Sequence, residues 1–126
     1  MTAQKIESPA TDVQPDAVNE VRLVGRLADD PRLRELPSGD SLWSLRVVVE
    51  RPVPSAGGRS RQRVDTLECA VWSGRLKKQV ARWSGGDIVE VSGALRRRFF
   101  RAAGATASRV EVELTGGRII RRARSG

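Results

Sequence analysis

The stretch Asn19-Glu20-Val21-Arg22-Leu23-Val24-Gly25-Arg26-Leu27 decides how this chain folds. Val21 and Leu23 alternate with Arg22 and Val24, the period of two that turns one side of a strand toward a core. Gly25 then interrupts the run. A glycine inside a strand permits a sharp bend or a close backbone approach, and a small barrel needs such bends at its corners. Gly93 sits the same way inside a later strand.

Working outward, the same pattern recurs. Val18 to Leu27 reads as the first strand. Asp29-Asp30-Pro31 turns the chain. Leu33 to Leu36 can form a short strand before the strong turn Pro37-Ser38-Gly39-Asp40. Ser41 to Glu50 alternates again, with Trp43, Leu45, Val47 and Val49 on one face, and forms the second long strand. Pro52 to Gly58 is a loop, and Arg59, Arg61 and Arg63 lead into a third strand ending near Val71. Ser73 to Trp83 switches to helical spacing, with Leu76, Val80 and Trp83 on one stripe. Ser73 is placed as its N-cap, and Ser84-Gly85-Gly86 ends it. Ile88 to Arg98 is a fourth strand and Ala107 to Leu114 a fifth, joined by a small-residue loop over Arg101 to Thr106. Gly116-Gly117 is expected to break the fifth strand.

Five strands with one helix between the third and fourth is the layout of the OB-fold, an all-β barrel. Closing the sheet removes the open edges that short strands would otherwise present. The expected organisation is a disordered tail over residues 1–17, one OB-fold domain over 18–117, and a basic tail over 118–126.

Composition narrows the chemistry. A chain of 126 residues makes one domain. It holds no histidine, the commonest acid/base group and metal ligand. Its single cysteine, Cys69, cannot form an intramolecular disulfide or a thiolate metal site. On its strand Cys69 lies beside Leu67 and Val71, so it reads as a small buried apolar residue. Asp29 and Asp30 before a proline read as a turn rather than a metal site. No glycine-rich phosphate loop is present. The expectation is a binding protein, not an enzyme, without cofactor or metal. No apolar run suits a membrane span, and the first fifteen residues lack the features of an export signal. The expected setting is the cytoplasm, at the nucleoid.

The net charge is +8. Residues 1–20 carry one lysine against four acids, a net −3, which leaves +11 on the rest. A small body so charged attracts polyanions, and nucleic acid is the usual one. Arginine supplies most of the positive charge, and its planar fork suits phosphates and stacks on bases.

Single strands are held by cations along the phosphates and flat side chains under the bases. Arg96-Arg97-Arg98-Phe99-Phe100-Arg101 interleaves the two. Alternation places Arg96, Arg98 and Phe100 on one face, and Arg97 and Phe99 on the other, with Phe99 expected inward. Trp43 suits the core or a subunit contact, and Trp83 the core. Arg59, Arg61 and Arg63 flank a loop that either wraps a strand or is simply solvated.

In order, the segments Asn19 to Leu27, Leu33 to Gly39, Val71-Trp72-Ser73-Gly74-Arg75-Leu76, Gly86 to Gly93 and Leu95 to Phe100 resemble the bacterial single-stranded DNA-binding protein family. The resemblance implies base stacking at Trp72 and Phe100. Two further stacking positions of that family fall on Val53 and Thr66, so about half of the set is missing here. Stacking contributes about 1–3 kcal/mol per base, and the extra arginines read as compensation through phosphates. The candidate binding residues are Trp72, Phe100, Arg96, Arg98, Arg26, Arg34, Arg59, Arg61 and Arg63. Members of the family end in an acidic tip that recruits enzymes. This sequence ends with Arg118, Arg121, Arg122 and Arg124, which puts that recruiting role in doubt and suggests a tail that adds to nucleic-acid affinity.

The expected function is binding of single-stranded DNA with little sequence preference, in replication, recombination or repair. The resemblance implies a homo-oligomer, a tetramer or dimer. Two alternatives stay open: a single-stranded RNA binder, and an OB-fold protein-interaction module of a replication or restart complex.

Overall fold

The computed structural model describes residues 15–52 and 62–124. Seven elements follow in chain order: β1 (Val21–Leu27), β2 (Arg32–Glu35), β3 (Ser41–Glu50), β4 (Val64–Val71), α1 (Gly74–Val80), β5 (Ile88–Ala102) and β6 (Ala105–Arg121). The sheet order is β1-β5-β6-β4-β3-β2, and a further β1–β3 pairing closes the first five into a barrel. All pairings are antiparallel except β4–β6, where Cys69 lies opposite Val112 and Val71 opposite Leu114. β2 is not a separate barrel strand. β1 pairs with β3 at Val47 and Val48, and β2 resumes along the same edge from Trp43 and its neighbours. The five-stranded OB-fold expected from the layout is the fold observed.

The bend expected at Gly25 is where β1 leaves β5 for β3. It pairs with β5 from Val21 to Arg26 and reaches β3 at Arg26 and Leu27. A Cβ on Gly25 would collide with the Val48 carbonyl, and one on Gly93 with the Glu113 carbonyl. No side chain other than hydrogen fits at either corner. Gly93 also adjoins a register shift between β5 and β6, the irregularity that lets a strand turn a barrel corner.

The core is built from the alternating faces. Leu27, Leu45, Val47, Val71, Val89, Val91 and Leu114 are buried, and α1 covers one barrel end with Leu76, Val80 and the following Trp83. Each such aliphatic side chain contributes about 1.5–3 kcal/mol when taken out of water. Ser73 does occupy the N-cap, but through its carbonyl, which accepts from the Lys77 N–H at 3.0 Å. Its side chain makes no cap bond. Cys69 is buried among these residues, and burial pushes its thiol up to about 12.

Four expectations about β5 and β6 are corrected. The connection between them is not a six-residue loop but a two-residue turn. Ala103 (φ 51°) and Gly104 (φ 80°) both take left-handed backbone, the requirement of a tight hairpin turn, so β5 continues to Ala102. Gly116 and Gly117 do not break β6, which runs through both to Arg121. Gly117 is needed there because a Cβ would strike the Trp83 ring. Residues 118–121 are therefore strand rather than tail. Ile119 packs against the core, and Asp87, 1% exposed, accepts hydrogen bonds from the Ala123 N–H (2.7 Å) and the Ser84 N–H (2.9 Å). Finally, Phe99 is not inward. It is 69% exposed, because the long β5–β6 hairpin continues as an arm past the last barrel layer, beyond the described core.

Candidate nucleic-acid interface

The arm and the adjoining part of β4 carry the arrangement that matters. Opposite residues on β5 and β6 share a face: Arg96 with Glu111, Arg98 with Arg109, and Phe100 with Ala107. Period two on β6 then puts Arg109, Glu111 and Glu113 on this face while Val110, Val112 and Leu114 take the other. Trp72, the residue after β4, reaches the same face, since the Arg98 guanidinium lies 5.2 Å from its ring centroid. Arg109 lies 5.8 Å from the Phe100 ring in the same manner. Each of the two rings is thus covered by a cation, a contact worth about 0.5–1 kcal/mol when exposed.

Two carboxylates hold these cations in place. Glu113 accepts from Arg96 Nε at 3.0 Å and from an Arg98 terminal nitrogen at 3.4 Å. Glu111 accepts from Arg98 Nε at 3.1 Å and lies 3.9 Å from Arg109 Nε. Arg98 and Arg109 are directly opposed like charges, and Glu111, 9% exposed between them, offsets their repulsion. The Trp72 indole Nε1 is buried and has no hydrogen-bond partner among the described residues. A buried donor left unmatched costs about 1–3 kcal/mol.

The structure brings together four of the expected site residues: Trp72, Arg96, Arg98 and Phe100. Of the other candidates, the described ones, Arg26, Arg34 and Arg63, lie elsewhere. Arg26 lines a groove with Val24, Val48, Glu50, Val64 and Ile88. Arg34 sits on the exposed β2. Arg63 precedes β4 and accepts through its carbonyl from the Arg51 N–H, nine residues and up to about 30 Å of extended chain from Trp72. Arg59, Arg61 and Val53 lie outside the described residues. Thr66 is exposed on β4.

Arg109, Glu111 and Glu113 were missed by sequence reading. Their alternation with Val110, Val112 and Leu114 was visible, but not which arginines they would face. Asn19 was missed too. Its side-chain amide donates to the Leu95 carbonyl and accepts from the Leu95 N–H, both at 2.8 Å, and so ties the entry to β1 to the base of the arm. Asp29 and Asp30, expected to turn the chain, lie at a bend that does not reverse it, since β1 and β2 both run antiparallel to β3 along the same edge. Asp29 pairs with Arg46 at 2.7 Å and Asp30 accepts from the Gly85 N–H. No group of three or more potential metal ligands occurs among the described residues, and no helix among them is long and apolar enough to cross a membrane.

The model of the single-strand binding protein family matches residues 18–119. This chain belongs to that family. Among its relatives, "Single-stranded DNA-binding protein 3" of Listeria innocua is 32% identical over 81 residues, 64% of this chain and 49% of that protein. "Single-stranded DNA-binding protein B" of Bacillus subtilis is 30% identical over 82 residues, 65% of this chain and 71% of that protein. The chain spans about half the length of the Listeria innocua protein. The solved structure "Plasmodium falciparum SSB complex with ssDNA" superposes with a TM-score of 0.69 at 18% identity, covering 86% of this chain and 98% of that one. That likeness is one of fold: family membership rests on the sequence match.

Proposed function

We propose that this member of the single-strand binding protein family binds single-stranded DNA with little sequence preference, through the face formed by Trp72, Phe100, Arg96, Arg98 and Arg109. The observation that carries the reading is the juxtaposition of two aromatic rings with three guanidiniums on one side of the β4–β6–β5 sheet. Rings stack on any base and guanidiniums meet any phosphate, so such a face holds a strand without reading its sequence. The relatives' names point the same way. The reading assigns binding and no catalysis, and places the protein in replication, recombination or repair in the cytoplasm.

A homo-oligomer belongs to the same proposal. Val24 and Ile120 are 41% and 46% exposed on the outside of the barrel. Beside Val24, the β1 edge opposite β5 is paired, among the described residues, only at Arg26 and Leu27. An open edge next to exposed apolar side chains favours strand addition by a second copy.

Titrating oligo-dT against tryptophan fluorescence tests the function. Binding should weaken steeply with salt, by about 0.7 in log–log slope for each phosphate neutralised. Binding that ignores salt, or is undetectable at low salt, overturns it. Equal affinity for oligo-rU would move the assignment to single strands of either kind. Sedimentation of the same sample reads the oligomer.

A further inference from the structure

The cations of the candidate face are not free in the unbound protein. Arg96, Arg98 and Arg109 all lie against Glu111 or Glu113. Arg98 and Arg109 also cover the two rings on which bases would stack. Three guanidiniums stand against two carboxylates, so the face is far less positive than the arginine run suggests. A carboxylate held by a guanidinium fork offers the same oxygen geometry as a phosphate.

We propose that Glu111 and Glu113 are built-in competitors of the nucleic-acid backbone. They hold the arginines over Trp72 and Phe100 until phosphates take those arginines away and uncover the rings. This rests on the proposed function and adds a regulating role for residues that touch no base. The Trp72 indole N–H is buried and unmatched among the described residues, so the unbound face carries an unmet hydrogen bond beside the Arg98 contact.

The exchange has a definite signature. Each carboxylate lost frees cations for phosphates, so neutralising it should tighten binding and steepen its salt dependence together. Glu113→Gln should tighten oligo-dT binding about two- to fivefold at low salt, the range of a partly exposed ion pair. It should also raise the log–log slope by up to about 0.7 for each additional phosphate contacted. Glu111→Gln should act in the same direction.

A general gain of one positive charge would also tighten binding, and a double-mutant cycle separates the two. In a background of Arg96→Ala with Arg98→Ala, Glu113→Gln should change nothing, because no arginine remains for that carboxylate to hold. A tightening that persists in this background overturns the proposal. So does an unchanged or weaker affinity of Glu113→Gln with its melting temperature preserved.

The unaltered protein supplies a second measurement that does not depend on any variant folding. The Arg98 Nε–H resonance should shift as oligo-dT displaces Glu111, and one that stays put at saturation overturns the proposal. The function and the competition fail differently. A wild-type protein that does not bind oligo-dT removes both. Binding that Trp72→Ala weakens but Glu113→Gln leaves alone removes only the role of the carboxylates.

Discussion

Phe100 and Phe99 are neighbours in sequence with opposite surroundings. Phe100 lies under Arg109 on the candidate face, whereas Phe99 points from the other side of the arm with no cation over it among the described residues. Phe100 is 43% exposed and contributes little to the core. Phe100→Ala should therefore weaken oligo-dT binding by about 1–3 kcal/mol while the melting temperature stays within a degree or two. A sharp drop in melting temperature at unchanged affinity would assign Phe100 to packing instead. Cys69 gives the contrasting case of a residue shut away from chemistry. Burial first, and then the charges of Glu68 and Glu111, push its thiol up to about 12. The thiolate is the reactive form, so alkylation at pH 8 should proceed only as fast as the protein unfolds. Rapid labelling of the native protein would contradict the buried placement.

At the scale of elements, β5 and β6 serve two purposes along their length. Their inner portions, around Val89, Val91, Val112 and Leu114, are barrel wall. Their outer portions form a two-stranded ribbon ending at Ala103 and Gly104. A two-stranded ribbon without a covering layer is marginally stable by itself. The ribbon is nonetheless where the arginines and Phe100 are carried, so the proposed binding element is drawn from the part of the fold with the fewest covering layers. Hydrogen exchange should show this as a gradient. Amides between Phe99 and Ser108 should exchange orders of magnitude faster than those of Val89 and Val91, and oligo-dT should slow the first group selectively. Equal protection along the whole of β5 would mean the arm is braced by something other than its own ladder.

Across the whole molecule, charge is arranged in small compensated clusters rather than as one positive surface. On the outer barrel face Glu90 lies between Arg22 and Arg118, the latter at 2.7 Å. The hydrogen bond from Arg22, followed by that from Arg118, holds the Glu90 carboxyl below its ordinary value. Asp65 is held low in the same way by Arg51. A carboxyl whose pKa is lower folded than unfolded binds protons more readily when unfolded. Its contribution to stability is fully present above the ordinary carboxylate range, about pH 4.3. That contribution is lost as the pH falls through the depressed folded value. The melting temperature should thus decline below about pH 4.3, and less so in Glu90→Gln, where the linked group is gone. An identical acid profile for the two proteins would remove Glu90 from the account. Both groups are only partly buried, so the difference is small and shrinks further with added salt.

The sequence alone determined the barrel and one strand of the site. Alternation is a local property of each strand, so the core faces of β1, β3 and β5 and the shared face of Arg96, Arg98 and Phe100 could be read from spacing. The corners at Gly25 and Gly93 could be read because only glycine tolerates such close backbone approach. The register between β5 and β6, and how far their pairing runs past the barrel, depend on contacts distant in sequence. Only the tertiary structure therefore placed Glu111 and Glu113 against the arginines, turned Phe99 outward, and drew Arg118 to Arg121 into the sheet. Period two says which side of a strand a charge occupies. It does not say what stands opposite, and here that opposition decides whether the arginines are free.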